Sequence, residues 1–96
     1  MTVRRITIFR VQDGAGAEFL AGFAPIVQRV RNDPGNEQYE LFVSYDQPET
    51  ILVAERWRDT KSMEASLARH YPGRDHPSVA FLRLLVGEPK MENYEV

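Results

Sequence analysis

Apolar positions in this chain repeat every second residue in some stretches and at helical spacing in others, and the changes of period mark its elements. Val3 to Val11 alternates as a strand, with Ile6 and Ile8 on one face and Val3, Phe9 and Val11 on the other. Asp13-Gly14-Ala15-Gly16 is a turn signal. From about Ala17 to Arg31 the stripe Phe19, Phe23, Ile26, Val27 and Val30 predicts a helix, with Pro25 expected to kink it and Asn32-Asp33-Pro34-Gly35 to end it. A second strand is predicted over Gln38–Tyr45, with Tyr39, Leu41, Val43 and Tyr45 on one face. The short turn Asp46-Gln47-Pro48 makes it a hairpin with the strand that follows.

The sharpest change of period lies between Glu49 and His76. Ile51, Val53, Glu55 and Trp57 share one strand face, and Leu52, Ala54 and Arg56 share the other. Asp59 and Thr60 then offer capping oxygens, and Met63, Leu67, His70 and Tyr71 fall on one stripe of a helix that Pro72-Gly73 stops. That spacing sets His70 on the buried side. Ser78 is placed to cap a short helix carrying Val79, Phe81, Leu82 and Leu85, and Pro89 to Val96 suits a last strand.

The order β-α-β-β-α-(α)-β predicts an α+β fold, a ferredoxin-like antiparallel sheet with its helices on one face. Several strands are apolar on both faces. The face without helices is therefore expected to pack against its counterpart in a second copy, giving a homodimer.

Composition narrows the reading. Ninety-six residues are expected to form one domain, 1–96. Lys+Arg 12 against Asp+Glu 14 gives a net charge of −2 and no basic stripe for nucleic acid. No apolar run approaches the ~20 residues that span a bilayer, and Met1-Thr2-Val3-Arg4-Arg5 leads into a strand, not a signal-peptide core. Without cysteine there is no disulfide, thiolate nucleophile or zinc–thiolate site, and the cytoplasm is the expected compartment.

The candidate chemistry is sparse. His70 and His76 are the only histidines, too few for a closed metal site, although neighbouring Asp75 and the distant Glu55 leave room for an open one. A buried His70 fits two roles: a core residue hydrogen-bonded to backbone or tyrosine, or a general base at a pocket wall. Trp57 is either core or the flat wall for a planar ring. Glu55 has Arg10 and Arg58 as candidate ion-pair partners, and Tyr39, Tyr45, Tyr71 and Tyr94 can offer hydroxyls. Gly14-Ala15-Gly16 carries Phe19 where a dinucleotide loop needs its third glycine, so it reads as a helix-start turn.

The segment Asn36 to Tyr45 after Pro34-Gly35, then Glu55-x-Trp57, then a helix with an inward His70 resembles the antibiotic biosynthesis monooxygenase family, from Val3 to Tyr94. The resemblance implies a dimeric α/β barrel in which two ferredoxin-like subunits pack sheet to sheet. Its members include small monooxygenases that oxidise quinols or phenols without metal or flavin, haem-degrading enzymes and an isomerase branch. Glu55 and Trp57 match the family's strand end, and His70 its helix histidine if one residue is deleted. A second helix histidine is replaced by Ser66. The haem-degrading branch has Asn and Trp where this chain has Thr7 and Ser66, although His76 falls on its haem-ligand position, so haem breakdown is not expected.

What the resemblance implies is a monooxygenase that needs no cofactor and acts with O₂ on a small aromatic quinol or phenol between helices and sheet. In that reading His70 is the base, Trp57 and Phe23 are ring contacts, Tyr71 orients the substrate, and Glu55 lies beside it. The competing expectation is a non-catalytic dimeric module that binds an aromatic or haem-like ligand.

Overall fold

Alternation along the first strand, β1 (Val3–Arg10), buries Val3, Arg5, Thr7 and Phe9 and turns Arg4, Ile6, Ile8 and Arg10 the other way. The structure, a computed structural model, describes residues 2–96; Met1 lies outside them. After β1 come α1 (Gly16–Arg31), the hairpin β2 (Asn36–Val43) and β3 (Thr50–Trp57), α2 (Thr60–His70), a 3-10 helix (Pro77–Leu84) and β4 (Lys90–Glu95). All neighbouring strands are antiparallel, in the order β2-β3-β1-β4. This is the expected α+β, ferredoxin-like architecture, with the helices on one side.

α1 runs on through Pro25 and buries Phe19, Phe23, Ile26, Val27 and Val30. Phe23 stacks on Phe81 of the 3-10 helix at 5.0 Å and meets Phe9 and Phe19 edge-on. Gly22 makes that approach possible, because a Cβ there would lie 2.4 Å from the Cβ of Phe81. Gly35, at φ 84°, turns the chain after α1, and a Cβ there would lie 2.5 Å from Ser62 Oγ. The turn holding Asp33 therefore sits close against the start of α2.

Three expectations shift. β2 occupies Asn36–Val43, not Gln38–Tyr45. Ser44 already belongs to the turn, its Oγ donating to Asp46 and accepting from the Gln47 backbone, so Tyr45 stands fully exposed. The short helix is capped by His76, whose ring accepts from the Ser78 backbone at 3.2 Å, while Ser78 occupies the second position. Asp59 caps α2 as expected, accepting from Ser62 N at 2.8 Å, but α2 buries Ser66 and leaves Leu67 43% exposed.

On the side away from the helices, Phe42, Leu52 and Ile8 lie side by side across three strands. The neighbouring rows carry Glu40, Ala54, Ile6 and Glu92, then Gln38, Arg56, Arg4 and Tyr94. Ile8, Phe42 and Tyr94 are at least a third exposed. No helix among the described residues is long and apolar enough to cross a membrane.

Candidate active site

α2 carries little bulk toward the sheet, and a cavity of about 220 Å³ lies beneath it. The floor is built by inward residues of the strands: Arg5, Thr7 and Phe9 from β1, Tyr39 from β2, Val53, Glu55 and Trp57 from β3, and Met91 from β4. Met63, Ser66 and Leu67 form the roof, Val30 of α1 closes one wall, and Tyr71, Arg74, Leu82, Leu85 and Pro89 surround the rest. The lining is largely apolar with a few converging polar groups, as ligand sites usually are.

Those polar groups are ordered. The indole Nε1 of Trp57 donates to Glu55 Oε1 at 2.9 Å, so Trp57, buried in the floor, holds the carboxylate from its own strand. Burial pushes the Glu55 carboxyl above its ordinary range, against the opposing pull of the Trp57 bond and the Arg5 charge. The hydroxyls of Tyr39 and Tyr71 lie 3.4 Å apart. Burial pushes both upward, Tyr39 further with the help of Tyr71 and Glu55, and Tyr71 to about 12. Both therefore stay protonated at neutral pH, and Glu55 is the carboxyl at the cavity that can take up a proton. Arg5 sits opposite Glu55 in the β1–β3 register and donates from Nε to Asn93 Oδ1 on β4 at 2.8 Å.

Of the residues singled out from sequence, Glu55, Trp57 and Tyr71 come together at the cavity. Phe23 does not; it is 1% exposed inside the phenylalanine cluster. His70, expected at the cavity wall, is not among the lining residues and is instead drawn to the turn after α1. Its Nε2 lies 2.9 Å from Asp33 Oδ2, which also accepts from Ser66 Oγ at 2.5 Å, while Arg69 meets Oδ1 at 2.8 Å. Burial alone would raise the Asp33 carboxyl; the bonds from Ser66 and His70 and the nearby cations outweigh it and hold it below its ordinary range. The expected ion pair of Glu55 with Arg10 or Arg58 is absent among the described residues. Arg58 reaches Asp59 and Ser62, and Glu55 has Trp57 instead.

Arg5 at the cavity with its partner Asn93, and Asp33 with Ser66, Arg69 and His70, form contacts that the sequence pattern did not assign. The signal for Arg5 was present: it shares the parity of Val3 and Phe9, so a charged residue stood on an inward face. Among the described residues no cluster of three or more His, Asp or Glu side chains could hold a metal ion.

A ferredoxin-like sheet with helices over one face and a small apolar cavity between them defines a class of small α+β proteins. Within it, residues 2–71 match the sequence profile of the antibiotic biosynthesis monooxygenase family, and the chain belongs to that family. YcnE of Bacillus subtilis (strain 168), provisionally named a monooxygenase, is 36% identical over 47 residues, 49% of this chain. That match spans 50% of YcnE, so the chain covers about half the length of this curated relative. A conserved protein from Methanosarcina mazei Go1 superposes with a TM-score of 0.82 at 15% identity, over 98% of this chain and 91% of that one. SnoaB from Streptomyces nogalater, a cofactor-independent oxygenase, superposes at 0.78 with 21% identity, over 99% and 92%. At these identities the two structures speak to the fold.

Proposed function

We propose that this protein is a monooxygenase that oxidises a small phenol or hydroquinone in the cavity beneath α2, with neither metal nor flavin. The observation that carries the proposal is the buried Glu55 carboxyl, held by Trp57 at the wall of an apolar cavity in a member of this family. The description of SnoaB as a cofactor-independent oxygenase supports it. At about 220 Å³ the cavity falls below the ~300–1,000 Å³ of pockets for drug-sized ligands, which favours a compound of one or two rings.

The chemistry needs a base, an electron-rich anion and a dry site. Glu55 takes the phenolic proton, and its raised affinity for protons suits it to do so. The phenolate passes one electron to O₂, and the phenoxyl radical and superoxide join at a ring carbon bearing hydrogen. Protonation of the peroxide by Glu55 and loss of water leave a quinone, one oxygen atom entering the ring and the other leaving as water. The Tyr39 and Tyr71 hydroxyls orient the substrate, and the apolar lining keeps bulk water from the intermediates. His70 has no place in this sequence of contacts.

Oxygen uptake across a panel of one- and two-ring phenols and hydroquinones, with labelled O₂ traced into the product, tests the proposal. Glu55→Gln should lower turnover by about 10²–10⁴-fold while remaining folded. Wild-type turnover in that variant would remove Glu55 from the mechanism. Binding without oxygen uptake by any compound would make the protein a binding module instead.

The same reading includes a homodimer formed through Phe42, Leu52 and Ile8 on the helix-free face. An interface over a whole sheet should bury at least the ~1,600 Å² of a standard complex. Light scattering at micromolar concentration should give twice the mass of one chain, and Phe42→Asp should shift it toward monomer. A monomeric wild type would end this part of the proposal.

A further inference from the structure

Arg5 is a buried cation with bonds still to make. It is 9% exposed, between inward Val3 and Thr7 on β1, where an apolar side chain would pack at less cost. Its Nε donates to Asn93 Oδ1 at 2.8 Å, across the register pair that joins β1 to β4. That bond sets the plane of the guanidinium. The two terminal nitrogens have no hydrogen-bond or ion-pair partner among the described residues; they are not sealed inside the protein but stay accessible, and the residue lines the cavity. Glu55 is its cross-strand neighbour, yet the two do not close an ion pair, and Glu55 Oε1 is taken by Trp57.

An arginine fork with its outer N–H groups open toward an apolar space is matched by an anionic oxygen that accepts two bonds. We infer that Arg5, held by Asn93, is the site for the substrate's phenolate oxygen, so that the cavity selects phenols it can keep ionised. The inference rests on the phenol-oxidising reading of the cavity and gives that reading its second half. When the phenol O–H bond breaks, an O–H bond forms on Glu55, and the negative charge moves from the carboxylate to the ring oxygen beside Arg5. The cavity's charge is the same before and after, so no buried charge is created in the step. The other titratable or charged groups facing it are Tyr39 from β2, and Tyr71 and Arg74 after α2; Arg74 is directed to Glu88 at 3.3 Å. β4 contributes uncharged Met91 and Asn93, and Glu95 shares their face one inward position further on, opposite Val3 and outside the cavity lining.

4-Nitrophenol is the probe, because its neutral and ionised forms absorb at different wavelengths and its electron-poor ring resists oxidation. Bound to wild type, it should show the phenolate band at a pH where the free compound is neutral, its apparent pKa lowered by about 1–3. Arg5→Gln should abolish that lowering, Arg5→Lys should keep part of it, and Asn93→Ala should reduce it. Glu55→Gln should leave the anion favoured. Melting temperatures identify variants that fail to fold, and the wild-type titration decides even if Arg5→Gln is one of them. A wild type that does not bind the probe, or binds it with unchanged ionisation, overturns the inference, as does an undiminished lowering in folded Arg5→Gln. A lowered apparent pKa of the probe with no oxygen uptake from any phenol would retire the oxygenase and leave the Arg5 site standing.

Discussion

α1 and α2 lie on the same face of the same sheet and treat it in opposite ways. α1 sends Phe19, Phe23, Ile26, Val27 and Val30 into the interface, and Phe9, Phe19, Phe23 and Phe81 fill the space with ring centroids 5.0 to 5.9 Å apart. α2 buries Met63 and Ser66 alone. Between them stand Glu64 and Ala65, and Leu67 lines the cavity while remaining 43% exposed. One half of the interlayer space is closed with carbon, while the other half holds a cavity with Arg5, Glu55, Tyr39 and Tyr71 around it.

The difference explains how so short a chain can carry polar groups inside. Aromatic burial under α1 supplies cohesion that the cavity side lacks, since a fully packed phenylalanine contributes several times what a net hydrogen bond does. The strands serve both halves at once. β3 places Ile51 toward the packed side and Val53, Glu55 and Trp57 toward the cavity within one alternating run.

The largest expected effect breaks the packed half. Phe23→Ala should cost about 3–5 kcal/mol in urea unfolding, because a ring in contact with four aromatic neighbours leaves a void when removed. That is a large share of the ~5–15 kcal/mol by which domains are stable. Affinity of the folded protein for a phenol in the cavity should stay within a few-fold of wild type. If affinity falls with stability under conditions where the variant is folded, the two halves are not separate, and Phe23 reaches the ligand as the sequence suggested.

The elements were legible because periodicity reports burial directly. Ile51, Val53, Glu55 and Trp57 stood on one face in the sequence and stand together in the fold. What stayed hidden depends on partners far away along the chain. The stripe Met63, Leu67, His70 and Tyr71 looked like the buried face of α2, yet Ser66 is buried in place of Leu67 because Asp33, distant in sequence, offers it an acceptor. The same carboxylate turns His70 from the cavity. Alternation placed Arg5 inward, but that Asn93 would fix its guanidinium required the β1–β4 register, which local pattern does not contain.

A smaller effect is expected at the seam where α2 meets the turn after α1. Here Asp33 gathers Ser66, Arg69 and His70 and ties the loosely packed helix down by polar bonds. Removing a hydrogen bond to a charged group costs about 1.5–3 kcal/mol, so His70→Ala should lower stability by that amount, and His70→Gln, which keeps an N–H donor, should restore part of it. The pH dependence gives the sign. Asp33 is held below its ordinary carboxylate range, so its stabilisation is complete above that range and is lost as pH falls through the lowered value. The gap between wild type and His70→Ala should therefore be widest while Asp33 is ionised and close once acid protonates it. Turnover in both folded variants should stay close to wild type, since the ring faces Asp33 and Glu55 faces the cavity. A loss of about 10²–10⁴-fold in both, without a matching loss of stability, would return His70 to the role of base. It would also mean that α2 moves enough in solution to swing the ring from Asp33 into the cavity, and the contrast between a fixed α1 and a mobile α2 would then be part of the mechanism.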